Sequence, residues 1–438
     1  MKARKIKYEL TLFYRGQCYS WADLYVKIQE SISHNAISPS DTLIIQAQDV
    51  FAATLDLLYG FIEKRTVFPV SSEFESAFRL ELTDINNSDI ALAIATSGSQ
   101  ASPKVALITY QNIESHCHNF VKIIPIDASS IWLNCMPLSH IAGVMIVYRC
   151  WFNNASIVLH ENFNTEKVWR DINHYGISHI SLVPRMLFKL LELSEDRKPP
   201  ESLKYVIIGG DRLSDELYQR AMSAGWPIYI SYGMTEASST IAIGRTPDKL
   251  KILDGFKTQL SDNDVLEIKG DMIFSGYSDI KAEQYDKQWF TTQDRVKLDN
   301  DHLSIIGRND YMIISGGKNI APEYLESLLE KSPVSGDFAI GKIANSSYSD
   351  NCAQKQNKDS NQNWGDTIVA LFCAEEVQLC VGEDQFCGGI DELKCWLKEN
   401  MQSAYQPRVI LSVKKIPRNT MGKIDRKAVQ IIINNHNN

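Results

Sequence analysis

A chain of 438 residues with 44% hydrophobic and 22% charged side chains has length for roughly two to four domains and too much apolar content for disorder, which excludes a small stapled scaffold and an extended tail. Forty-five basic side chains against fifty-three acidic ones leave a net charge of −8, so no global positive field exists to gather nucleic acid. Nine scattered cysteines with no CxxC pair, and no apolar run long enough for a leader or a membrane span, predict a reduced, cytoplasmic protein without a membrane-spanning segment.

In chain order, short β-branched runs at 42–47, 90–96, 157–159, 180–183 and 206–208 alternate with helical patterns such as 50–63. That alternation is the signature of βαβ units in a mainly parallel sheet. Between Val265 and Ile306 the texture changes to alternating segments around a tight turn at Asp299-Asn300-Asp301, which predicts a small antiparallel, β-barrel-like module. After Arg308 come a Gly-Gly turn, a helix over 322–331, strands near Phe338 and Ile368, and a helix over 391–400. They predict a separate α+β domain of about 130 residues. The predicted fold class is therefore α/β, with a large N-terminal domain over 1–309 and a small C-terminal domain over 310–438. The polar stretch 345–363 reads as a surface insertion.

Five motifs carry chemistry. Thr96-Ser97-Gly98-Ser99-Gln100-Ala101-Ser102-Pro103-Lys104 follows an apolar strand; its small residues let backbone N–H groups approach phosphate oxygens, and its lysine adds charge. It is not a Walker loop, because no glycine precedes Lys104 and Val105 replaces the magnesium-binding hydroxyl; the alternative is a plain connector. Ser231-Tyr232-Gly233-Met234-Thr235-Glu236 ends a strand with a stacking face, a hydroxyl and a carboxylate suited to a hard cation; the alternative is a capped helix start. Asp294 and Arg308 offer hydrogen bonds to ribose hydroxyls, or form a surface ion pair. Gly316-Gly317 permits close backbone approach, and Gly422 leaves Lys423 on a flexible tip.

In this order, with Pro137-Leu138-Ser139-His140, Gly143, Ser181-Leu182-Val183-Pro184 and Gly209-Gly210-Asp211 between them, the motifs resemble those of the adenylate-forming superfamily of acyl- and aryl-CoA ligases, adenylation domains and luciferases. The resemblance runs from about Trp21 to Arg426. It implies that a carboxylate attacks the α-phosphate of ATP, releasing pyrophosphate, and that the thiol of coenzyme A then displaces AMP. It places Thr96, Ser97, Gly98, Ser99 and Lys104 on the phosphates, Gly209, Gly210, Asp211, Tyr232 and Gly233 at the adenine, and Asp294 and Arg308 on the ribose. Thr235 and Glu236 would meet phosphate and Mg²⁺, with Glu236 as the metal ligand, and His140 would wall the acid pocket. Lys423 would bridge carboxylate and α-phosphate during adenylation. Asp310 would be the hinge on which a mobile C-terminal domain exchanges Lys423 for the face bearing Gly316 and Gly317.

Two departures stand out: Gln100-Ala101 where the superfamily has Thr-Gly, which predicts weaker ATP binding, and Gln293 where it has glycine, with a side chain expected to face solvent. The run Tyr232 to Thr240, the Ser181-Leu182-Val183-Pro184 segment and the short length are similar to the o-succinylbenzoate-CoA ligases of menaquinone biosynthesis. That likeness implies a pocket with apolar walls and a cation for the carboxylate that does not react. Arg185 is either that cation or a surface arginine. Another aryl- or short acyl-CoA ligase would keep every ATP motif, and a catalytically weak nucleotide-binding protein would keep the fold; the sequence leaves both open, and the oligomeric state with them. The implied partners are a small carboxylic acid, ATP and coenzyme A, with Mg²⁺ as cofactor and no nucleic acid.

Overall fold

The computed structural model describes residues 9–34, 42–71, 89–96, 104–261, 263–278, 289–315, 317–334, 336–344, 365–374, 388–418 and 423–437. The predicted insertion at 345–363, the phosphate-loop residues Ser97, Gly98 and Ser99 through Pro103, Gly316, and the tip at 419–422 lie outside the described residues. The backbone forms two compact units, one of residues 1–262, 266–292 and 298–304, the other of residues 263–265, 293–297 and 305–438.

The first unit is built from strands β1 (Thr11–Tyr14), β2 (Gln17–Tyr19), β3 (Leu43–Gln46), β4 (Val67–Val70), β5 (Ile90–Thr96), β6 (Lys104–Thr109), β7 (Ile131–Asn134), β8 (Ser156–Leu159), β9 (His179–Leu182), β10 (Tyr205–Ile208), β11 (Ile228–Met234), β12 (Ser239–Thr246), β13 (Lys249–Ile252), β14 (Lys257–Leu260), β15 (Val265–Lys269), β16 (Gly276–Tyr277), β17 (Phe290–Asp299) and β18 (His302–Arg308). Residues of β15, β17 and β18 are divided between the two units. Its helices are α1 (Trp21–His34), α2 (Val50–Glu63), α3 (Tyr110–Phe120), α4 (Ile141–Phe152), α5 (Thr165–His174), α6 (Pro184–Ser194) and α7 (Asp215–Ser223).

The large sheet runs β14-β15-β17-β18-β13-β12-β11-β10-β9-β7-β8-β1-β2. Strands β1, β8, β7, β9, β10 and β11 are parallel, as the alternation of strand and helix patterns requires. Strand β12 pairs antiparallel with β11 and β13, β13 with β18, and β14 with β15, so β15, β17 and β18 of the stretch expected after Val265 continue this same sheet, while β16 pairs with β6 in another. A second sheet orders β16-β6-β5-β4-β3. Local signals set the helix starts: Asp49 accepts the Ala52 N–H at 3.1 Å before α2, and Thr109 with Asn112 forms a reciprocal cap on α3, satisfying amides that a helix leaves open at its start. Helix α4 is apolar nearly all round, with Val144, Met145, Ile146, Val147 and Tyr148 fully buried, the pattern of a core helix. Among the described residues no helix is long and apolar enough to cross a membrane.

The second unit adds β19 (Ile313–Ser315), β20 (Lys318–Ile320), α8 (Pro322–Leu329), β21 (Gly336–Ile343), β22 (Thr367–Ala374), α9 (Gly388–Asn400), β23 (Val409–Ser412) and α10 (Arg426–Asn437). Strand β22 pairs antiparallel with β21 and parallel with β23. Its side chains alternate, as the pleat dictates. Ile368, Ala370 and Phe372 pack with α8 and α9 through Leu325, Leu329, Leu393 and Leu397. Val369 and Leu371 pack with α10 through Val429 and Ile433. This is the α+β arrangement expected from the sequence.

Candidate active site

In the first unit the expected nucleotide residues gather at strand ends. Strands β10 and β11 run parallel with Ile208 opposite Ile230, so Gly209, Gly210 and Asp211 follow one strand beside Ser231 and Tyr232 of the next. That is the carboxyl end of the sheet, where open α/β proteins bind ligands. The Gly209 N–H donates to Leu182 O at 3.1 Å, and Gly210 takes φ +86°, a left-handed conformation that glycine adopts without strain. Tyr232 is buried, 7% exposed.

The strand does not lead into a helix. It passes through a bulge between Tyr232 and Gly233, makes one 3₁₀ turn at Thr235–Ala237, and returns as β12. The helix-start alternative is thereby corrected: Ser238 and Ser239 take φ +55° and +113°, and Ser238 Oγ donates to Met272 O at 2.9 Å, which reverses the chain. Gly233 lies opposite Thr240 in the hairpin. A Cβ there would collide with the Ser239 carbonyl and stand 2.8 Å from Thr240 Cα. Gly233→Ala is therefore expected to destabilise the fold by about 1–3 kcal/mol, read from urea unfolding midpoints; an unchanged midpoint would mean that the hairpin yields.

Glu236 is held from two sides. The Phe274 N–H donates to its carbonyl at 2.8 Å, and the Tyr277 hydroxyl donates to its carboxylate at 2.7 Å. Tyr277 sits opposite Ala106 of β6, and the Lys104 ammonium lies 4.9 Å from its ring centroid, a cation–π contact. Thr96 and Lys104 face each other at the mouth of the β5–β6 hairpin, with Thr96 Oγ1 donating to Lys104 O at 3.2 Å. The phosphate-loop segment thus leads into a strand, so no helix N-terminus follows it and Lys104 is the cation it delivers. Tyr277, which no sequence motif singles out, connects that cation to Glu236. Among the described residues no three His, Cys, Asp or Glu side chains gather as a metal site. A divalent cation would have Glu236 as its protein carboxylate and take its remaining oxygens from phosphate and water, the manner in which Mg²⁺ is usually bound.

Behind this hairpin lies a buried cation. Arg149 of α4 is 3% exposed, and its guanidinium lies 3.8 Å from the Phe120 ring centroid. Its Nη2 donates to Ser239 Oγ at 3.1 Å and to Thr240 Oγ1 at 3.3 Å, the residues opposite Met234 and Gly233. Its Nε has no partner, and among the described residues no carboxylate pairs with it. Burial pushes its pKa down to about 10, so it stays charged at neutral pH. The Thr240 N–H donates to His116 Nε2 at 3.0 Å, and burial, reinforced by Arg149, holds that imidazole well below its ordinary pKa. His140 is the half-buried N-cap residue of α4. Arg185 is exposed on the first turn of α6, in keeping with its surface reading.

The second unit contains Asp294, Arg308, Asp310, Gly317 and Lys423. Asp294 is 7% exposed. Arg308 is a fork on Asp310, with Nε and Nη2 each donating at 2.9 Å, while its Nη1 is 3.8 Å from Asp294. Of the expected ribose residues, Arg308 is thus engaged mainly by Asp310, the expected hinge residue, and only at longer range by Asp294. Gln293 is exposed, as predicted, and adopts φ +66°, the conformation that a glycine would supply at lower cost. Gly317, at φ +74°, turns the β19–β20 hairpin. Lys423 is half-buried. On either side, the Asp425 N–H donates to Pro417 O at 2.9 Å and Arg418 bridges Ile424.

Comparison with known proteins places residues 26–264 in the family described as AMP-binding enzyme. The 2-succinylbenzoate–CoA ligase of Listeria monocytogenes is 27% identical over 82% of this chain and 73% of its own length. The ligase of the same description from Staphylococcus aureus is 29% identical over 66% of this chain, which spans 60% of that relative's length. Among solved structures, the o-succinylbenzoate CoA synthetase of Bacillus subtilis in complex with its acyl-adenylate intermediate has a TM-score of 0.79 at 21% identity, over 96% of this chain and 94% of that one. The likeness extends the shared fold to both units.

Proposed function

Because the chain belongs to the AMP-binding enzyme family, we propose that it is an AMP-forming acid–thiol ligase that converts o-succinylbenzoate to its coenzyme A thioester in menaquinone biosynthesis. The curated relatives carry that activity in their names. In the first half-reaction a carboxylate oxygen bonds to the α-phosphorus of ATP and the bond to pyrophosphate breaks. In the second, the sulfur of coenzyme A bonds to the acyl carbon and AMP leaves. On this reading residues 1–309 hold nucleotide and acid, and residues 310–438 act as the lid that carries Lys423.

The chain's own residues divide the work. Gly209 to Asp211 and Tyr232 line the adenine, Asp294 and Arg308 bind the ribose, and Lys104 with Thr235 neutralises phosphate oxygens. Mg²⁺, held by Glu236, would neutralise phosphate charge when bound. Tyr277 keeps the Glu236 carboxylate in one orientation, so little reorganisation is needed as the nucleotide arrives. His140 walls the acid pocket.

The observation that carries the choice of acid is Arg149. A guanidinium buried without a carboxylate is costly unless a partner arrives, and this one is bonded to Ser239 and Thr240, the residues paired with Met234 and Gly233, against aromatic surface. A ring-bearing diacid supplies the missing charge with its second carboxylate and the apolar match with its ring. The test is pyrophosphate exchange driven by o-succinylbenzoate, benzoate and a fatty acid, with mass detection of the thioester. o-Succinylbenzoate is expected to lead by about 10² in kcat/KM, the size of one buried charge-pair contribution. Preference for either monoacid would remove the assignment.

A further inference from the structure

Away from these strand ends, a cleft of about 320 Å³ opens at the β1–β8 side of the large sheet, lined by Phe13, Arg15, Val158, Leu159, His160, Lys167, Arg170, Asp171 and Tyr175 among others. It lies at the carboxyl ends of β1 and β8, four strand steps from β11 in the sheet order, or about 19 Å at ordinary strand spacing. Three cations, Arg15, Lys167 and Arg170, face one carboxylate, Asp171, although the chain as a whole is acidic. That carboxylate is already used on both oxygens: His160 Nε2 donates to one at 2.9 Å and Arg170 Nε to the other at 3.0 Å. Arg15 is taken by Glu161. The Lys167 ammonium has no hydrogen bond or ion pair among the described residues.

His160 is 2% exposed, and its Nδ1 has no partner. Since Nε2 donates to the Asp171 carboxylate, the neutral ring leaves Nδ1 as an acceptor, enclosed away from the cleft's solvent. Burial and the nearby Lys167 keep that ring below its ordinary pKa despite Asp171. The lining also has apolar members: Phe13 and Tyr175 pack with ring centroids 5.2 Å apart, Phe13 lies beside Val158 on the neighbouring strand, and Leu159 follows it. A lone solvated cation needs no such walls; an anion carrying an apolar body does.

We propose that this cleft is a second ligand site, distinct from the nucleotide site, for a small phosphate monoester with an apolar or ring-bearing body. Lys167 and Arg170 meet the phosphate, and the Phe13–Tyr175 wall takes the body. The volume is at the small end for ligand pockets, which limits the body to about one ring.

The test is calorimetric titration of the full chain with phenyl phosphate and with inorganic phosphate, each in the presence of saturating AMP to fill the nucleotide site. Phenyl phosphate is expected to saturate one site despite AMP, to bind more tightly than inorganic phosphate, and to weaken about tenfold in Lys167→Gln, with pyrophosphate exchange retained in that variant. Arg170→Gln is the second variant and should weaken it likewise. Loss of the heat when AMP is present, equal affinity for inorganic phosphate, no saturable binding, or undiminished affinity in both variants would each overturn the proposal.

Discussion

Lys423→Ala is expected to lower carboxylate-dependent pyrophosphate exchange about 10³-fold, the loss that follows removal of one strong stabilising group from a developing anionic transition state. The attacking carboxylate and the α-phosphate are both negative, and an ammonium spanning them offsets their repulsion as the new bond forms. The flanking chain is held by other residues as well. Arg418 Nη2 donates to both oxygens of Asp337 at 2.7 and 2.8 Å. Arg426 donates to Glu326 at 2.7 Å and to Glu323 at 3.2 Å, and the Glu326 carboxylate in turn accepts the Ile340 N–H at 2.7 Å. Thermal unfolding of Lys423→Ala should therefore match the parent. A second measurement separates the half-reactions: if the C-terminal domain exchanges faces between them, presynthesised acyl-adenylate is still converted to thioester by the variant. Equal loss in both half-reactions would point to a general defect, and retained exchange would remove Lys423 from the chemistry.

What the sequence made legible follows the range of the interactions involved. Helix α2 and strand β5 fall at the expected bounds, because apolar periodicity and a cap at Asp49 are local signals. The parallel order of β9, β10 and β11 also follows from the alternation of strand and helix patterns. The hairpin after Tyr232 was not legible: Thr235 and Glu236 suit a helix start locally, and only the pairing of β11 with β12 and the bond from Ser238 to Met272 decide for a turn. Tyr277 escaped for the same reason, being 41 residues from the carboxylate it holds. Arg149 stands in the sequence as a charge inside the apolar run Met136 to Phe152. A charge in a helix that is apolar all round requires a partner, and that requirement was the available signal. Its surroundings, Phe120 on α3 and Ser239 and Thr240 on β12, come from segments that only the fold brings together.

Arg149→Met should separate stability from activity in opposite directions. Replacing a buried charge by an apolar side chain of similar volume is neutral or stabilising by about 1–4 kcal/mol, so the free protein is expected to unfold at the same or higher urea concentration. Of the two hydroxyls it leaves, Thr240 Oγ1 keeps Ser231 Oγ at 3.1 Å, and Ser239 Oγ, which loses the Arg149 donor, retains its own hydrogen to donate. The same change removes the cation proposed to meet the second carboxylate, so kcat/KM for o-succinylbenzoate should fall about 10²-fold. Benzoate, which has no second carboxylate, should be activated as well as or better than by the parent, and Arg149→Lys should recover part of the loss because charge returns without the planar fork. A purely structural arginine behaves differently: its removal lowers the unfolding midpoint and depresses both acids together. Measuring midpoints and both acids on the two variants decides between these patterns, because only a cation reserved for the substrate gains stability where it loses the diacid.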